Sequence, residues 1–147
     1  MSAAVAVLGS RYRGDDAVGP LVGDRLREAG LSVLDCREEP TRLLDAIEGL
    51  DLLVVVDAVR SGAEPGTIHR LESHGEPLPG DLALASTHAF GIAETLELAR
   101  ALGRAPRRVV VLGVEGARFG LGEQPTPAVA AALDALTAQV RAELAEP

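Results

Sequence analysis

The chain has 147 residues, enough for one domain that buries roughly two thirds of its unfolded surface, so folding needs neither a disulfide nor a structural metal. Hydrophobic residues make up 47% and aromatics only 2%, which leaves Val, Leu, Ile and Ala to build a core of the kind that suits parallel strands covered by helices. A net charge of −8 opposes nucleic acid and anionic membrane partners, the single Cys36 excludes an internal disulfide, and no apolar run approaches the ~20 residues of a membrane span.

In chain order, Ala3 to Leu8 is an apolar run ending at Gly9, which predicts a buried first strand. After a loop from Ser10 to Gly14, Asp15 or Asp16 can cap a helix to about Ala29. Its apolar face is Val18, Leu21, Val22 and Leu26, and Gly30 is its stop. Leu31 to Cys36 reads as a second strand. Pro40 and Thr41 open a short helix, with Leu43, Leu44 and Ile47 inward, that ends at Gly49.

Leu50 to Val56 is the strongest strand. Its run LLVVV has no polar alternation, as expected of a central strand buried on both faces, and it ends at Asp57. Thr67 to Leu71 alternates like an edge strand. The stretch from Val56 to Thr67 is too short for a helical crossover, so this fourth strand is expected antiparallel. Glu72 to Gly80 reads as a loop, Thr87 to Leu102 as a helix, Arg108 to Val114 as a fifth strand, and Thr126-Pro127 opens a last helix to about Ala145. The pattern predicts one cytoplasmic α/β domain over residues 1–147, a three-layer α/β/α sandwich on a mixed five-stranded sheet with one strand antiparallel.

In open α/β sheets the carboxyl ends of parallel strands form the ligand crevice. Three polar clusters fall there: Gly14-Asp15-Asp16, Asp57, and Ser86-Thr87-His88. Two carboxylates and an imidazole from separate loops suit a borderline divalent ion such as nickel, zinc or iron. Taken singly, each residue is explained more simply as a helix cap or turn residue. Jointly they crowd like charges at one edge, which a cation relieves. Asp15 is better explained as the helix cap, which leaves Asp16, Asp57 and His88 as the metal candidates.

His69, on the alternating strand, and His74, in a polar loop, are expected to face solvent. Cys36 is expected to act as a small buried hydrophobe, and Glu39 and Glu115 as solvated loop acids. GSRYRGDDAVG lacks the Lys-Ser/Thr of a phosphate-binding loop, and neither a His-Glu-x-x-His helix nor a Gly-x-Ser-x-Gly elbow occurs.

In sequence, LGSRYRGDDAVGPLVGDRL, DLLVVVDAVRSGAEPGTIHRL, STHAFGIAETLELARALG and VVVLGVEG together resemble the hydrogenase maturation protease family almost end to end. The resemblance implies a phosphorylase/hydrolase-like mixed five-stranded sheet between helical layers. It also implies removal of a C-terminal peptide from the large-subunit precursor of a nickel-iron hydrogenase. Carried over by motif, Asp16 of GDDAVG, Asp57 of VVVDAV and His88 of STHAFG would contact nickel carried by that precursor. Where the family usually has Gly-x-Gly-Asn, this chain has Val7-Leu8-Gly9-Ser10, and Arg37-Glu38-Glu39-Pro40 replaces a Gly/Thr-rich turn.

Two other readings use the same residues. A receiver-type signalling domain would place Asp15, Asp16, Asp57 and Thr87 much as here, with Asp57 phosphorylated. It needs Lys after the fifth strand, where this chain has Glu115, and an all-parallel sheet. A metal-dependent hydrolase of a small substrate would use the same trio around a tightly held ion. The sequence leaves the oligomeric state open.

Overall fold

The computed structural model describes residues 2–35, 40–79, 83–85 and 92–145. In order these form β1 (Ala3–Val7), a turn of 3-10 helix (Gly14–Ala17), α1 (Val18–Glu28), β2 (Leu34–Asp35) and α2 (Pro40–Ile47). Next come β3 (Leu52–Val59), β4 (Ile68–Ser73), α3 (Ile92–Ala101), β5 (Arg108–Glu115) and α4 (Pro127–Ala145). The five strands make one sheet in the order β2-β1-β3-β5-β4. All neighbours are parallel except β4, which runs antiparallel to β5 at the edge. The sheet is therefore mixed as expected, and the antiparallel strand is the one whose short connection forbade a crossover.

Two apolar cores flank the sheet, one on each face. Side chains alternate along a strand, so Val54, Val56, Val110 and Leu112 meet α1 and α4 through Val18, Val22, Leu26, Val129, Leu133 and Leu136. Leu53, Val55, Val109 and Val111 meet α2 and α3 through Leu43, Ile47, Ile92 and Leu96. Every residue of β3 is buried, in keeping with its unbroken apolar run. No helix among the described residues is long and apolar enough to cross a membrane.

Several boundaries differ from expectation for physical reasons. β3 continues past Asp57 to Val59 because β5 offers it partners as far as Glu115. β2 is only Leu34–Asp35, a half-buried edge pairing with Ala6 and Val7. β4 extends to Ser73, since Glu72 and Ser73 pair with Val110 and Val109. α1 starts later than expected, after the 3-10 turn, and neither Asp15 nor Asp16 caps it by a side-chain hydrogen bond. Its end is as expected: the amides of Gly30 and Leu31 donate to the carbonyls of Arg27 and Leu26 at 2.9 Å each, a Schellman ending. The antiparallel β4 also conflicts with the all-parallel sheet of a receiver.

Candidate functional site

Asp16 and Asp57 occupy one corner of the molecule, where β1 and β3 run out at their carboxyl ends. β1 is tied to β3 to its last residue and beyond, the Leu8 amide donating to Val56 O at 3.0 Å. The 3-10 turn that carries Asp16 lies against β3. Asp16 is half-buried, and its Oδ2 accepts the Ser10 amide at 2.9 Å, which locks the carboxylate to the loop leaving β1. Gly9 makes this approach possible. It sits at φ +109°, and a Cβ there would lie 2.1 Å from the Asp16 carbonyl oxygen and 3.3 Å from its Oδ1. Only a residue without a side chain fits so close beside the acid.

Asp57 is fully buried, and its Oδ1 accepts the Ala58 amide at 2.8 Å. It stands within β3, opposite Gly113 of β5, so the sheet itself fixes its direction more firmly than the strand-end turn expected for it would. The 3-10 turn that carries Asp16 packs on the strand that carries Asp57, so the two acids belong to the same edge of the sheet. His88, the third member of the expected trio, lies outside the described residues, as do Cys36, Glu39, Ser86 and Thr87. Among the described residues no three His, Cys, Asp or Glu side chains gather to hold an ion.

Asp15 does something other than cap α1. Fully buried, its carboxylate accepts the amides of Ala117 at 2.7 Å, Arg118 at 3.1 Å and Thr126 at 2.7 Å, and the Thr126 hydroxyl. It thereby fastens the turn that carries Asp16 to the segment between β5 and α4, including the residue preceding α4. The helix-cap role expected of Asp15 is not the one it plays: its partners lie about a hundred residues away and left no local sign.

Glu115 and His69 also depart from expectation. Glu115 is the last residue of β5, 2% exposed, and not a solvated loop acid. Its carboxylate accepts the Ser61 amide at 2.9 Å, the Gly62 amide at 3.3 Å, the Ser61 hydroxyl, and His69 Nε2 at 3.1 Å. Burial pushes its carboxyl up, but the hydrogen bonds from Ser61, His69 and Gly62 outweigh that and hold it below the usual range. His69, with its side chain 36% exposed, therefore faces the sheet and Glu115, and does not simply face solvent. A signal was present in the sequence: His69 is two residues from Leu71, which packs on the α2–α3 face, and strand alternation gives both the same side. His74 does face solvent, 61% exposed and paired with Glu72 at 2.7 Å.

Comparison with known proteins matches a family model described as hydrogenase maturation protease over residues 21–143, a span that includes Asp57 and His88 and begins just after Asp16. The hydrogenase expression/formation protein HupD of Thiocapsa roseopersicina is 33% identical over 129 residues, covering 82% of this chain and 58% of that protein. HupD of Rhodobacter capsulatus is 27% identical over 143 residues, covering 93% and 68%. The chain spans about half the length of most curated relatives it matches. Among solved structures, the hydrogenase maturating endopeptidase HybD of E. coli superimposes with a TM-score of 0.82 at 24% identity, covering 98% of this chain and 92% of that one. The [NiFe] hydrogenase maturation protease HybD of Thermococcus kodakarensis does so with a TM-score of 0.81 at 25% identity, covering 99% and 100%. With a family model matched over most of its length and the fold shared nearly end to end, the chain belongs to the hydrogenase maturation protease family.

Proposed function

We propose that the protein is an endopeptidase that removes a C-terminal peptide from the nickel-loaded large-subunit precursor of a nickel-iron hydrogenase. Asp16, Asp57 and His88 contact the nickel, which arrives as part of the substrate, so that only a loaded precursor is cut. The family match carries the activity. The observation that best supports the site is the placement of a glycine-accommodated Asp16 and a sheet-held Asp57 at the carboxyl edge of β1 and β3. Two carboxylates and an imidazole are a donor set suited to a borderline divalent ion. Such an ion on the substrate supplies specificity by neutralising acids that otherwise repel one another. Within this reading the working compartment is the cytoplasm and the partner is the precursor.

The test is processing of nickel-loaded and nickel-free precursor by the wild type and by Asp16→Ala, Asp57→Asn and His88→Ala. The wild type is expected to cut only the loaded form. Each variant should keep its thermal unfolding transition and lose processing. Equal cutting of nickel-free precursor by the wild type would remove nickel recognition, and wild-type rates in the variants would remove the site assignment.

A further inference from the structure

We propose that His69 moves the proton in peptide hydrolysis by this chain, with Glu115 as the residue that positions it. The inference rests on the endopeptidase reading and adds to it a residue outside the Asp16, Asp57 and His88 set. His69 pairs with Gly113 across β4 and β5, and Gly113 pairs with Asp57 across β5 and β3. Residues aligned across neighbouring strands project from the same face, and strands lie about 4.8 Å apart. His69 and Asp57 therefore share one face with backbones about 10 Å apart, and the residue between them is a glycine.

Beside this row lies a cavity of about 280 Å³ lined by Val59, Ser61, His69, Leu71, Leu84 and Gly113. A cavity of about 150 Å³ already accepts benzene, so there is room for a substrate side chain or water against the ring. Val59 packs over Gly113, where an added Cβ would come 2.4 Å from Val59 Cγ2.

The hydrogen bonds define the orientation of the ring. Glu115 is buried and accepts from Ser61, from Gly62 and from His69 Nε2. That carboxylate takes its other hydrogen bonds as acceptor, so Nε2 is the ring nitrogen turned to Glu115 and Nδ1 is the one left to face a substrate. The charged group bonded to the ring is Glu115 from β5; Arg70, next to His69 on β4, turns to the opposite face and is committed to Glu143 and Glu72. An imidazole oriented through one ring nitrogen by a buried carboxylate is the arrangement of a base held by a third group. In the step proposed, a water oxygen attacks the scissile carbonyl carbon and its proton passes to Nδ1. As the C–N bond breaks, Nδ1 returns that proton to the departing amine nitrogen. One water is consumed, and the imidazole ends as it began.

The experiment compares wild type, His69→Ala and His69→Gln on nickel-loaded precursor, with folding checked by thermal unfolding. Gln can still donate to Glu115, so it preserves a purely structural link while removing proton transfer. Both variants are expected to fold and to lose about 10²–10⁴-fold in kcat with KM little changed, and added imidazole should restore part of the His69→Ala rate. If His69→Gln cuts at the wild-type rate, His69 only anchors β4 to Glu115 and the inference falls while the endopeptidase reading stands. If the wild type itself does not cut loaded precursor, the endopeptidase reading falls and takes this inference with it.

Discussion

Glu115 shows at the residue scale how a buried acid is kept charged and what that does to stability. Its carboxyl is held below the usual range by donors that exist only in the folded chain, so the unfolded state binds the proton more readily. The stabilisation is therefore complete above the unfolded value of about 4.3. It is lost as pH falls through the lower folded value. Urea unfolding from about pH 7 to pH 3 should show the wild type losing stability more steeply than Glu115→Gln, which has no such proton to take up. Parallel curves would mean that Ser61, Gly62 and His69 do not favour the ionised form. Among the described acids that line the sheet's carboxyl edge, Glu115 and Asp16 are each gripped by backbone amides, and their directions are set by loops distant in sequence or by a glycine.

Between elements, the main fastening is Asp15. One side chain holds two amides of the β5–α4 connection and both the amide and hydroxyl of Thr126, so the start of α4 and the turn carrying Asp16 move as one. Replacing it with Ala leaves those buried donors without their acceptor and should cost roughly 3 kcal/mol. Chemical denaturation checks this against Asp24→Ala, which removes exposed pairs with Arg11 at 2.6 Å and Arg27 at 3.8 Å and should cost under about 1 kcal/mol. Similar losses in the two variants would mean that the Asp15 fastening is no stronger than a surface ion pair. A second link, Arg70 of β4 to Glu143 of α4 at 2.6 Å, ties the antiparallel edge strand to the helix layer on the opposite face from His69.

At the scale of the whole molecule, two cores made almost entirely of aliphatic side chains hold three layers together. Leu53 is fully buried in the centre of the sheet on the α2–α3 face, so Leu53→Ala should cost about 2–5 kcal/mol, the spread reflecting how far the neighbours collapse into the gap. Leu121, 74% exposed, should tolerate the same change within about 0.5 kcal/mol. Denaturant midpoints at constant slope would report both, and a small loss at Leu53 would mean that this core relaxes far more than close packing implies.

The sequence by itself determined the layers, the strands and their order along the chain, because an unbroken LLVVV run and helical apolar spacing are local properties of the chain. It also determined the antiparallel β4, since the ten residues between Val56 and Thr67 cannot build a crossover. The placement of Asp16 and Asp57 at the sheet's carboxyl edge was legible because each comes after an apolar strand run. Only the tertiary structure decided what Asp15, Glu115 and His69 do, because each is satisfied by groups roughly fifty to a hundred positions away. Hydrogen bonds over such separations leave no periodicity to detect: a buried acid with distant partners has the same local signature as a solvated one.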